Sequence, residues 1–346
     1  MNHDTKHVAV VRLSAMGDVA MTVPVLLAVV DQYPDVKITV VSRSFYKPIF
    51  DRIPNVSFLS AHTHHRHKGF IGIYRLYRDL KERNVNQVAD LHNVLRSKIL
   101  RIFFTLSGCK GAATDKGRKE KKALTQLQTK EISPLETMIE RHVHTFNKLG
   151  LSLDMSQPWL LPKRALSDEI TNLLGHKQTE WIGIAPFAHY KSKTYPLDLM
   201  QKVVRILATR PNAKIILIGG GRHEKEVLDK MAEGLENVFN ITKKFQFEEE
   251  LQLISHLDVM LSMDSGNAHL AAMFGVKTIT LWGATHPYAG FAPYNQPIEN
   301  CLTSDREQYP YLPTSVYGNI KVAGYEDAMR TISVEAILEK LNKILQ

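Results

Sequence analysis

The stretch HLDVMLSMDSGNAHLAAMFGVKTITLWG, residues 256–283, contains two short apolar segments on either side of an alanine-rich, helix-like segment. The apolar segments, 256–263 and 276–283, have the length of strands, and Gly275 is a typical helix stop between them. A strand, a helix and a second strand in this order form a βαβ unit, whose two strands are parallel. The stretch therefore predicts an α/β protein with a parallel sheet.

The same alternation recurs along the rest of the chain. Further strands are predicted at 7–13, 37–43, 86–92, 181–187 and 213–221. Further helices are predicted at 19–31, 140–151, 197–210, 223–234 and 333–345. A segment with two prolines and no periodicity, 154–169, separates the two sets and is predicted to be a linker. We therefore expect two Rossmann-like domains, 1–160 and 161–330, followed by a C-terminal helix, 331–346.

The composition indicates a globular chain that is long enough for two domains. It has 346 residues, 44% of them apolar, which is enough for two domain cores. No uncharged apolar run reaches the roughly 18 residues of a membrane span, and the N-terminus lacks the apolar segment of a secretory signal. The two cysteines, Cys109 and Cys301, indicate neither a disulfide framework nor a zinc site. We expect a cytoplasmic protein.

The positive charge is concentrated in one region. The net charge is +9, and residues 61–130 contain 16 Lys or Arg against 5 Asp or Glu. This excess indicates either an acidic partner or a solvated loop. The segment HTHHRHK, 62–68, has four histidines but no helical spacing and no neighbouring carboxylate in the sequence, so a basic flexible loop is favoured over a metal site.

In a parallel sheet, ligands bind beyond the carboxyl ends of the strands, so polar residues at those positions are candidates for a site. In the turn after the first strand, Asp18 either caps the next helix or acts as a general base. After a later strand, Asp90, His92, Asn93 and Arg96 are placed to contact a polar acceptor. For the arginine, an ordinary exposed helix charge is the alternative.

The second half of the chain has three further turns of this kind, each following a predicted strand. Lys193, in a loop, is either a mobile cation beside a phosphate or a solvated lysine. Glu224 follows an incomplete Gly-rich turn, where it holds a ribose hydroxyl or simply favours the helix start. The backbone N–H groups of Ser265 and Gly266 are suited to a pyrophosphate, and His269 lies one helical turn further on, as a ligand contact or a half-buried histidine.

Seven segments, taken in order, resemble glycosyltransferase family 9, the heptosyltransferases of the lipopolysaccharide inner core. They are VVRLSAMGDVAMTVPVL (10–26), DLHNVLRSKIL (90–100), ATDKGRKEKK (113–122), RHVHTFNKLGL (141–151), APFAHYKSKTYP (185–196), LIGGGRHEKE (217–226) and MDSGNAHLAAMFGVKTITLWGATHP (263–287). The resemblance implies the GT-B fold, in which two Rossmann-like domains with parallel sheets face each other across a cleft. It also implies that the last helix packs back on the N-terminal domain.

The resemblance further implies inverting, metal-independent transfer from an ADP-activated sugar. Asp18 matches the family's acid that is proposed to deprotonate the acceptor hydroxyl, and Lys193 matches the lysine that neutralises the donor phosphates. The implied donor-binding residues are Glu224, Asp264, Ser265, Gly266, His269 and His189. The implied acceptor-binding residues are Asp90, His92, Asn93, Arg96 and Lys119. Asp264 is expected to cap its helix and to meet sugar or backbone groups, rather than to act as the base.

The implied partners are a nucleotide-sugar donor and an acidic glycolipid acceptor, with peripheral contact at the inner face of the membrane. Neither a cofactor, a metal nor a nucleic acid is expected. Tyr195 stands where the family usually has tryptophan, and the positions before Lys193 read AHYKS (188–192), where core heptosyltransferases often have small hydroxyl or glycine residues. The alternatives are a relative that uses another nucleotide sugar for a surface polysaccharide, a GT-B-like UDP-sugar epimerase, and a non-enzymatic sugar-binding protein.

Overall fold

The computed structural model describes residues 6–346 and contains two compact units, each built around its own parallel sheet. The first unit comprises the chain up to Gly117 together with Glu136–Leu161. The second comprises Arg118–Leu135 and Pro162–Gln346. The α/β class and the two Rossmann-like halves are therefore confirmed.

The sheet of the first unit has five strands: β1 (His7–Val11), β2 (Lys37–Ser42), β3 (Val56–Ser60), β4 (Gln87–Asp90) and β5 (Lys110–Ala113). Their order is β3-β2-β1-β4-β5, and all neighbouring strands run parallel. The chain moves outward from β1 to β3 and then returns to place β4 on the other side of β1. The carboxyl ends of β1 and β4 therefore meet at the point where the winding reverses, which is the usual ligand position in such sheets.

The helices of the chain up to residue 124 are α1 (Met16–Ala20), α2 (Val23–Gln32), α3 (Lys47–Phe50), α4 (Gly69–Lys81), α5 (Leu95–Leu106) and α6 (Arg118–Leu124). The single helix predicted at 19–31 is thus interrupted between α1 and α2. Pro24 lies in the first turn of α2, where its missing N–H is tolerated, whereas a continuous helix would have needed that donor. The first unit is completed by α7 (Met138–Lys148).

Helices α4 and α5 lie in the basic region 61–130, for which no helix range was predicted. Helix α4 buries Leu76 and Leu80, and α5 buries Leu100 and Phe104, all in one apolar cluster with strand β1. Spacings of four residues place these side chains on one face of each helix. The region therefore contributes to the core of the first unit as well as to its charge.

The sheet of the second unit has six strands: β6 (Glu180–Ala185), β7 (Ala213–Leu217), β8 (Val238–Asn240), β9 (Val259–Met263), β10 (Lys277–Trp282) and β11 (Cys301–Thr303). Their order is β11-β10-β9-β6-β7-β8, and all neighbouring strands are parallel. Here the winding reverses between β6 and β9. The loops that follow these two strands are therefore neighbours at the carboxyl edge of the sheet.

The remaining helices are α8 (Asp168–Leu174), α9 (Leu197–Ala208), α10 (Arg222–Ala232), α11 (Phe247–Ile254), α12 (Gly266–Ala272) and α13 (Val334–Leu345). The stretch 256–283 forms β9, α12 and β10 in the predicted order. Ser333 caps α13 by accepting a hydrogen bond from the N–H of Ala336, as predicted. The resemblance implied that this last helix packs on the first half, but its buried side chains, Ile337 and Leu341, belong to the core of the second unit.

The segment Arg118–Leu135 belongs to the second unit, although it precedes the predicted boundary at residue 160. Within that unit, the ammonium group of Lys121 lies 4.1 Å from the ring centroid of Phe291. Lys119 is exposed on the same helix, α6. The structure therefore places Lys119 in the second unit and not in the predicted N-terminal domain 1–160, and its contact with an acceptor stays a prediction.

Candidate active site

The site in the second unit is centred on an ion pair between Lys193 and Asp264. Nζ of Lys193 lies 2.9 Å from Oδ2 of Asp264, and the two side chains are only 13% and 10% exposed. Lys193 follows β6 and Asp264 follows β9, so the two residues meet where the winding of the sheet reverses. The sequence predicted a mobile or solvated lysine, whereas the structure holds its ammonium group in place.

Asp264 is also held from a second side. Oγ1 of Thr285, in the loop after β10, donates a hydrogen bond of 2.9 Å to the same carboxylate oxygen that Lys193 contacts. The N-cap of α12 is Ser265, and Asp264 precedes it. The prediction that Asp264 caps this helix is therefore wrong: its carboxylate orients Lys193.

The start of α12 provides the other half of this site. Ser265 has an extended backbone and makes no side-chain cap; its hydroxyl instead contacts the hydroxyl of Ser262 at 3.0 Å. The first N–H groups of an α-helix have no partner within the helix, so those that follow Ser265 and Gly266 are suited to an anion. His269 is 7% exposed, which makes it a largely buried histidine, and its contact with a donor stays a prediction.

Two glycines allow the Lys193 loop to approach the rest of the site. A Cβ atom at Gly283 would overlap the carbonyl oxygen of Ser192, and one at Gly318 would lie 2.6 Å from Cγ of Lys193. The same carbonyl oxygen accepts a hydrogen bond of 3.0 Å from the N–H of Ala284. The backbone on both sides of Lys193 is thus closely packed. Neither glycine was identified from the sequence, because their role depends on contacts between distant loops.

Tyr195, which replaces the family's usual tryptophan, is a structural anchor. It is fully buried, and its hydroxyl donates a hydrogen bond of 2.7 Å to the carbonyl oxygen of Ile332. Burial raises the pKa of Tyr195 to about 12, so the phenol stays protonated at neutral pH. The residue fixes the entry to α9 against the segment that leads into α13.

Two further predicted donor residues belong to the second unit: Glu224 lies in the first turn of α10, and His189 lies in the loop after β6. Oε2 of Glu224 accepts a hydrogen bond of 2.6 Å from the N–H of Gly220, so this acid stabilises the start of α10, as its alternative interpretation held. His189 is exposed, and its ring meets that of Tyr190 edge-on at 4.6 Å. Contact of either residue with a nucleotide stays a prediction.

In the first unit, Asp18 is fixed by two contacts. Oδ1 lies 2.7 Å from Nη2 of Arg12, and Oδ2 accepts a hydrogen bond of 3.0 Å from the N–H of Ala15. The aspartate therefore stabilises the start of α1, while its side chain keeps 24% of its surface exposed. Arg12 is buried and also donates to the carbonyl oxygen of Leu91, at 2.6 Å. Sequence analysis missed this arginine, although a lone cation at the end of an apolar strand was a usable signal.

A cavity of about 450 Å³ opens beside these residues in the first unit. Its lining combines polar and apolar side chains, among them Ser14, Arg43, Phe70, His92, Leu95 and Arg96. Burial first, and then the positive charges of Arg12 and Lys116, lower the pKa of His92 to about 4. His92 is therefore a neutral hydrogen-bonding group at pH 7. Arg96, in the first turn of α5, borders the same cavity, and its contact with an acceptor stays a prediction.

Asp90 and Asn93 stabilise the turn after β4 and do not line this cavity. Asp90 has no exposed surface, and its Oδ1 accepts hydrogen bonds from the N–H groups of His92 (3.2 Å) and Asn93 (2.7 Å). Nδ2 of Asn93 donates to the carbonyl oxygen of Thr114 at 2.7 Å. Burial raises the pKa of Asp90. The prediction that Asp90 contacts an acceptor is wrong because its carboxylate is inaccessible, and Asn93 shapes the same turn.

The histidine-rich segment is anchored to α4. His67 is 1% exposed; its Nδ1 accepts from the N–H of His62 and its Nε2 lies 3.0 Å from Oδ2 of Asp79, which also pairs with Arg66. Burial lowers the pKa of His67. The expected flexible loop is thus held by a carboxylate that is distant in the sequence. Among residues 6–346, no cluster of three or more His, Cys, Asp or Glu side chains is arranged as a metal site.

Comparison with known proteins identifies the family. The model of glycosyltransferase family 9 (heptosyltransferase) matches residues 73–320. The chain belongs to glycosyltransferase family 9. It is therefore a glycosyltransferase, and the suspected resemblance is confirmed. Lipooligosaccharide heptosyltransferase 2 of Haemophilus influenzae is 27% identical to this family member over 359 aligned residues, which cover 98% of this chain and 99% of the relative.

Solved structures support the same fold for this family 9 chain. A family 9 glycosyltransferase from Veillonella parvula superposes with a TM-score of 0.74 at 19% identity, covering 100% of this chain and 98% of the other. The E. coli heptosyltransferase WaaC with ADP gives 0.71 at 20% identity, with coverages of 98% and 99%. These similarities show the GT-B fold. In the part of the chain that the structure describes, no helix has the length and apolar character required to span a membrane.

Proposed function

We propose that this enzyme transfers a heptose from ADP-heptose to an acceptor of the lipopolysaccharide-core type, with inversion at the anomeric carbon. The observation that carries the proposal is the buried Lys193–Asp264 pair beside the start of α12. A lysine and free helix amides at the carboxyl edge of a parallel sheet suit a nucleoside diphosphate. The heptosyl and ADP parts of the proposal rest on the names of the relatives.

The second unit is proposed to stabilise the leaving group. When the bond between the anomeric carbon and the phosphate oxygen breaks, negative charge develops on the ADP that departs. An ammonium group has three N–H donors, so Lys193 can contact both Asp264 and a phosphate oxygen. The amides at Ser265 and Gly266 would share the same diphosphate. His189, Glu224 and His269 remain proposed donor contacts.

The first unit is proposed to activate the acceptor. The acceptor hydroxyl attacks the anomeric carbon from the side opposite the phosphate, and its proton passes to the carboxylate of Asp18. Arg12 orients this carboxylate through the 2.7 Å ion pair. Arg43, His92 and Arg96 line the neighbouring cavity and suit an acidic glycolipid with hydroxyl groups. Such an acceptor would bring the enzyme to the inner face of the membrane.

We further propose that the transfer needs no metal ion, because Lys193 and the helix amides supply the positive charge that a divalent ion would otherwise provide. The measurement is the initial rate of ADP release before and after treatment with EDTA. An unchanged rate is expected. A rate that vanishes with EDTA and returns with a divalent cation would contradict this part of the proposal.

The decisive experiment compares ADP-, GDP- and UDP-activated sugars, with and without a purified lipopolysaccharide-core acceptor. Release of ADP that requires both ADP-heptose and the acceptor is the expected result. A second candidate, a relative that uses another nucleotide sugar, is favoured by the ring pair of the exposed His189 and the partly buried Tyr190 just before Lys193, where the family often has small residues. Acceptor-dependent release from another nucleotide sugar would support that candidate. Conversion of a UDP-sugar without any acceptor would instead indicate an epimerase.

A further inference from the structure

Helices α4 and α5 expose a group of large apolar side chains, which we call the α4–α5 patch. Its members, with their exposed fractions, are Phe70 (65%), Ile71 (68%), Tyr74 (45%), Leu95 (75%), Ile102 (53%) and Leu106 (80%). Single exposed apolar residues are common on proteins, but six on two adjacent helices form a surface that needs an explanation. The first unit contains this patch entirely.

The patch is separate from the side of the helices that forms the core. Helix α5 already buries Leu100 and Phe104 against the sheet of its unit. Its outer face carries Leu95, Ile102 and Leu106, at spacings of seven and four residues, which align them along one stripe. A surface helix normally has polar residues on that stripe. Packing within the first unit therefore does not require apolar residues on the outer stripe of α5.

The two helices present one continuous surface. The ring of Phe103 on α5 lies edge-on to Phe70 at 5.4 Å and to Tyr74 at 5.5 Å between ring centroids. Both of these aromatic residues are on α4, so Phe103 joins the apolar side chains of the two helices. A single partner surface can therefore contact both helices.

The charge around the patch selects the type of partner. Residues 66–106 contain nine Lys or Arg and three Asp or Glu. Of the acids, Asp79 is paired with Arg66, and Asp90 is fully buried. Helix α5 itself has three basic residues and no acid. The apolar side chains thus lie in a surface of positive charge, which is the composition of helices that bind anionic lipid surfaces.

We propose that the α4–α5 patch docks on a bilayer that contains anionic lipids. The apolar side chains enter the interface between headgroups and acyl chains, and cations such as Lys68, Arg75 and Lys98 contact the lipid phosphates. The helices are 13 and 12 residues long, short of the roughly 20 needed to cross a bilayer, so they lie along its surface. Phe70 and Leu95 also line the cavity of the first unit, so the patch adjoins the proposed acceptor site, whereas Ile102 and Leu106 lie outside that cavity. The inference is independent of which sugar is transferred.

The test is sedimentation of the full-length protein with vesicles of phosphatidylcholine, with or without phosphatidylglycerol. Binding only to the anionic vesicles, weakened by added salt, is expected. The double variant Ile102→Ser/Leu106→Ser removes exposed apolar surface and should weaken vesicle binding by about tenfold or more. Lys98→Gln removes one cation and should weaken it by about fivefold.

Matched controls come from the second unit. Ile206→Ser/Ile298→Ser removes two exposed isoleucines, whose exposed fractions are 48% and 47%. Arg222→Gln removes an exposed cation and is the control for Lys98→Gln. Both controls should bind vesicles like the unmodified protein. Circular dichroism melting should show that all variants are folded.

Three results would overturn the proposal. The first is an unmodified protein that does not bind anionic vesicles, and the second is an equal loss of binding in the control and patch variants. The third is a dimer in sedimentation velocity that the patch variant dissociates, without any vesicle binding, which would make the patch a contact between two copies of the chain. ADP release with a water-soluble acceptor should be unchanged in Ile102→Ser/Leu106→Ser, so failure of the transfer proposal is detected separately.

Discussion

Nζ of Lys193 lies 2.9 Å from Oδ2 of Asp264, although 71 positions separate the two residues in the sequence. The order of the second sheet, which places β6 beside β9, brings them together. Because Asp264 also accepts a hydrogen bond from Thr285, the carboxylate is fixed and directs the ammonium group. The lysine is thus positioned by the fold before any donor binds.

Replacement of Lys193 by Gln should lower kcat by about 100-fold or more, because the leaving diphosphate loses its principal cation. Lys191→Gln is the matched control, since Lys191 is exposed in the same turn and has no part in the Asp264 contact. Steady-state kinetics of ADP release measure the effect. Similar rates for the two variants would show that the cation at Lys193 is dispensable.

Thr285→Val keeps the shape of the side chain but removes the hydroxyl that donates to Asp264. A hydrogen bond to a charged group contributes about 1.5–3 kcal/mol, so we expect kcat to fall by about 10- to 100-fold, with a smaller change in KM. Thr285→Ser retains the donor and should restore most of the rate. A lower melting temperature with an unchanged kcat in Thr285→Val would show a structural role alone.

Asp18→Asn should reduce kcat by about 100-fold or more, because an amide cannot accept the proton of the acceptor hydroxyl. Calorimetric titration with ADP should give nearly the same affinity as for the unmodified enzyme. Asp31→Asn, at an exposed acid of α2, provides the control. Loss of ADP binding in Asp18→Asn would assign the residue to the structure and place the base elsewhere.

Glu250 provides a test of pH dependence. Burial raises its pKa from 4.5 to about 7, so the folded protein retains this proton at pH values where the unfolded chain has released it. Its contribution to the free energy of unfolding therefore falls as the pH rises from 4.5 to 7 and is lowest above pH 7.

Glu250→Gln removes that effect and should raise the free energy of unfolding at pH 8 on the order of 1–3 kcal/mol, but not at pH 4. Denaturant unfolding at the two pH values is the measurement. Glu236→Gln, at an exposed glutamate, should change stability at neither pH. A stabilisation of Glu250→Gln that is equal at pH 4 and pH 8 would contradict the assigned pKa.

The sequence predicted seven of the eleven strands of residues 6–346 and no helix range in the basic region. The predicted strands are the inner strands of the two sheets, whose apolar runs are a local property of the sequence. The four edge strands, β3, β5, β8 and β11, are only three to five residues long and were not predicted. No range was predicted for α4 or α5 because their many Lys and Arg residues also fit a solvated loop, although Leu76 and Leu80 have helical spacing. Charged residues indicate which face of a segment is exposed to solvent, whereas hydrophobic periodicity indicates which face is buried.

Within the site, residue types were predicted better than their contacts. The motifs identified Lys193 and Asp264, but the direct ion pair depends on the order of strands that the local sequence does not encode. Asp90 was predicted to bind a ligand because the sequence cannot distinguish an aspartate that faces solvent from one that accepts hydrogen bonds from the backbone N–H groups of the following turn. Only its burial distinguishes the two cases.

The close packing at Gly283 and Gly318 has a consequence for binding entropy. A free lysine side chain samples many rotamers, and fixing it costs on the order of 2 kcal/mol. Because the two glycines let neighbouring loops enclose the Lys193 segment, that ordering is completed when the chain folds. A variant with a looser loop would contact the same nucleotide through the same atoms, yet hold it more weakly, because each binding event would have to order the lysine again.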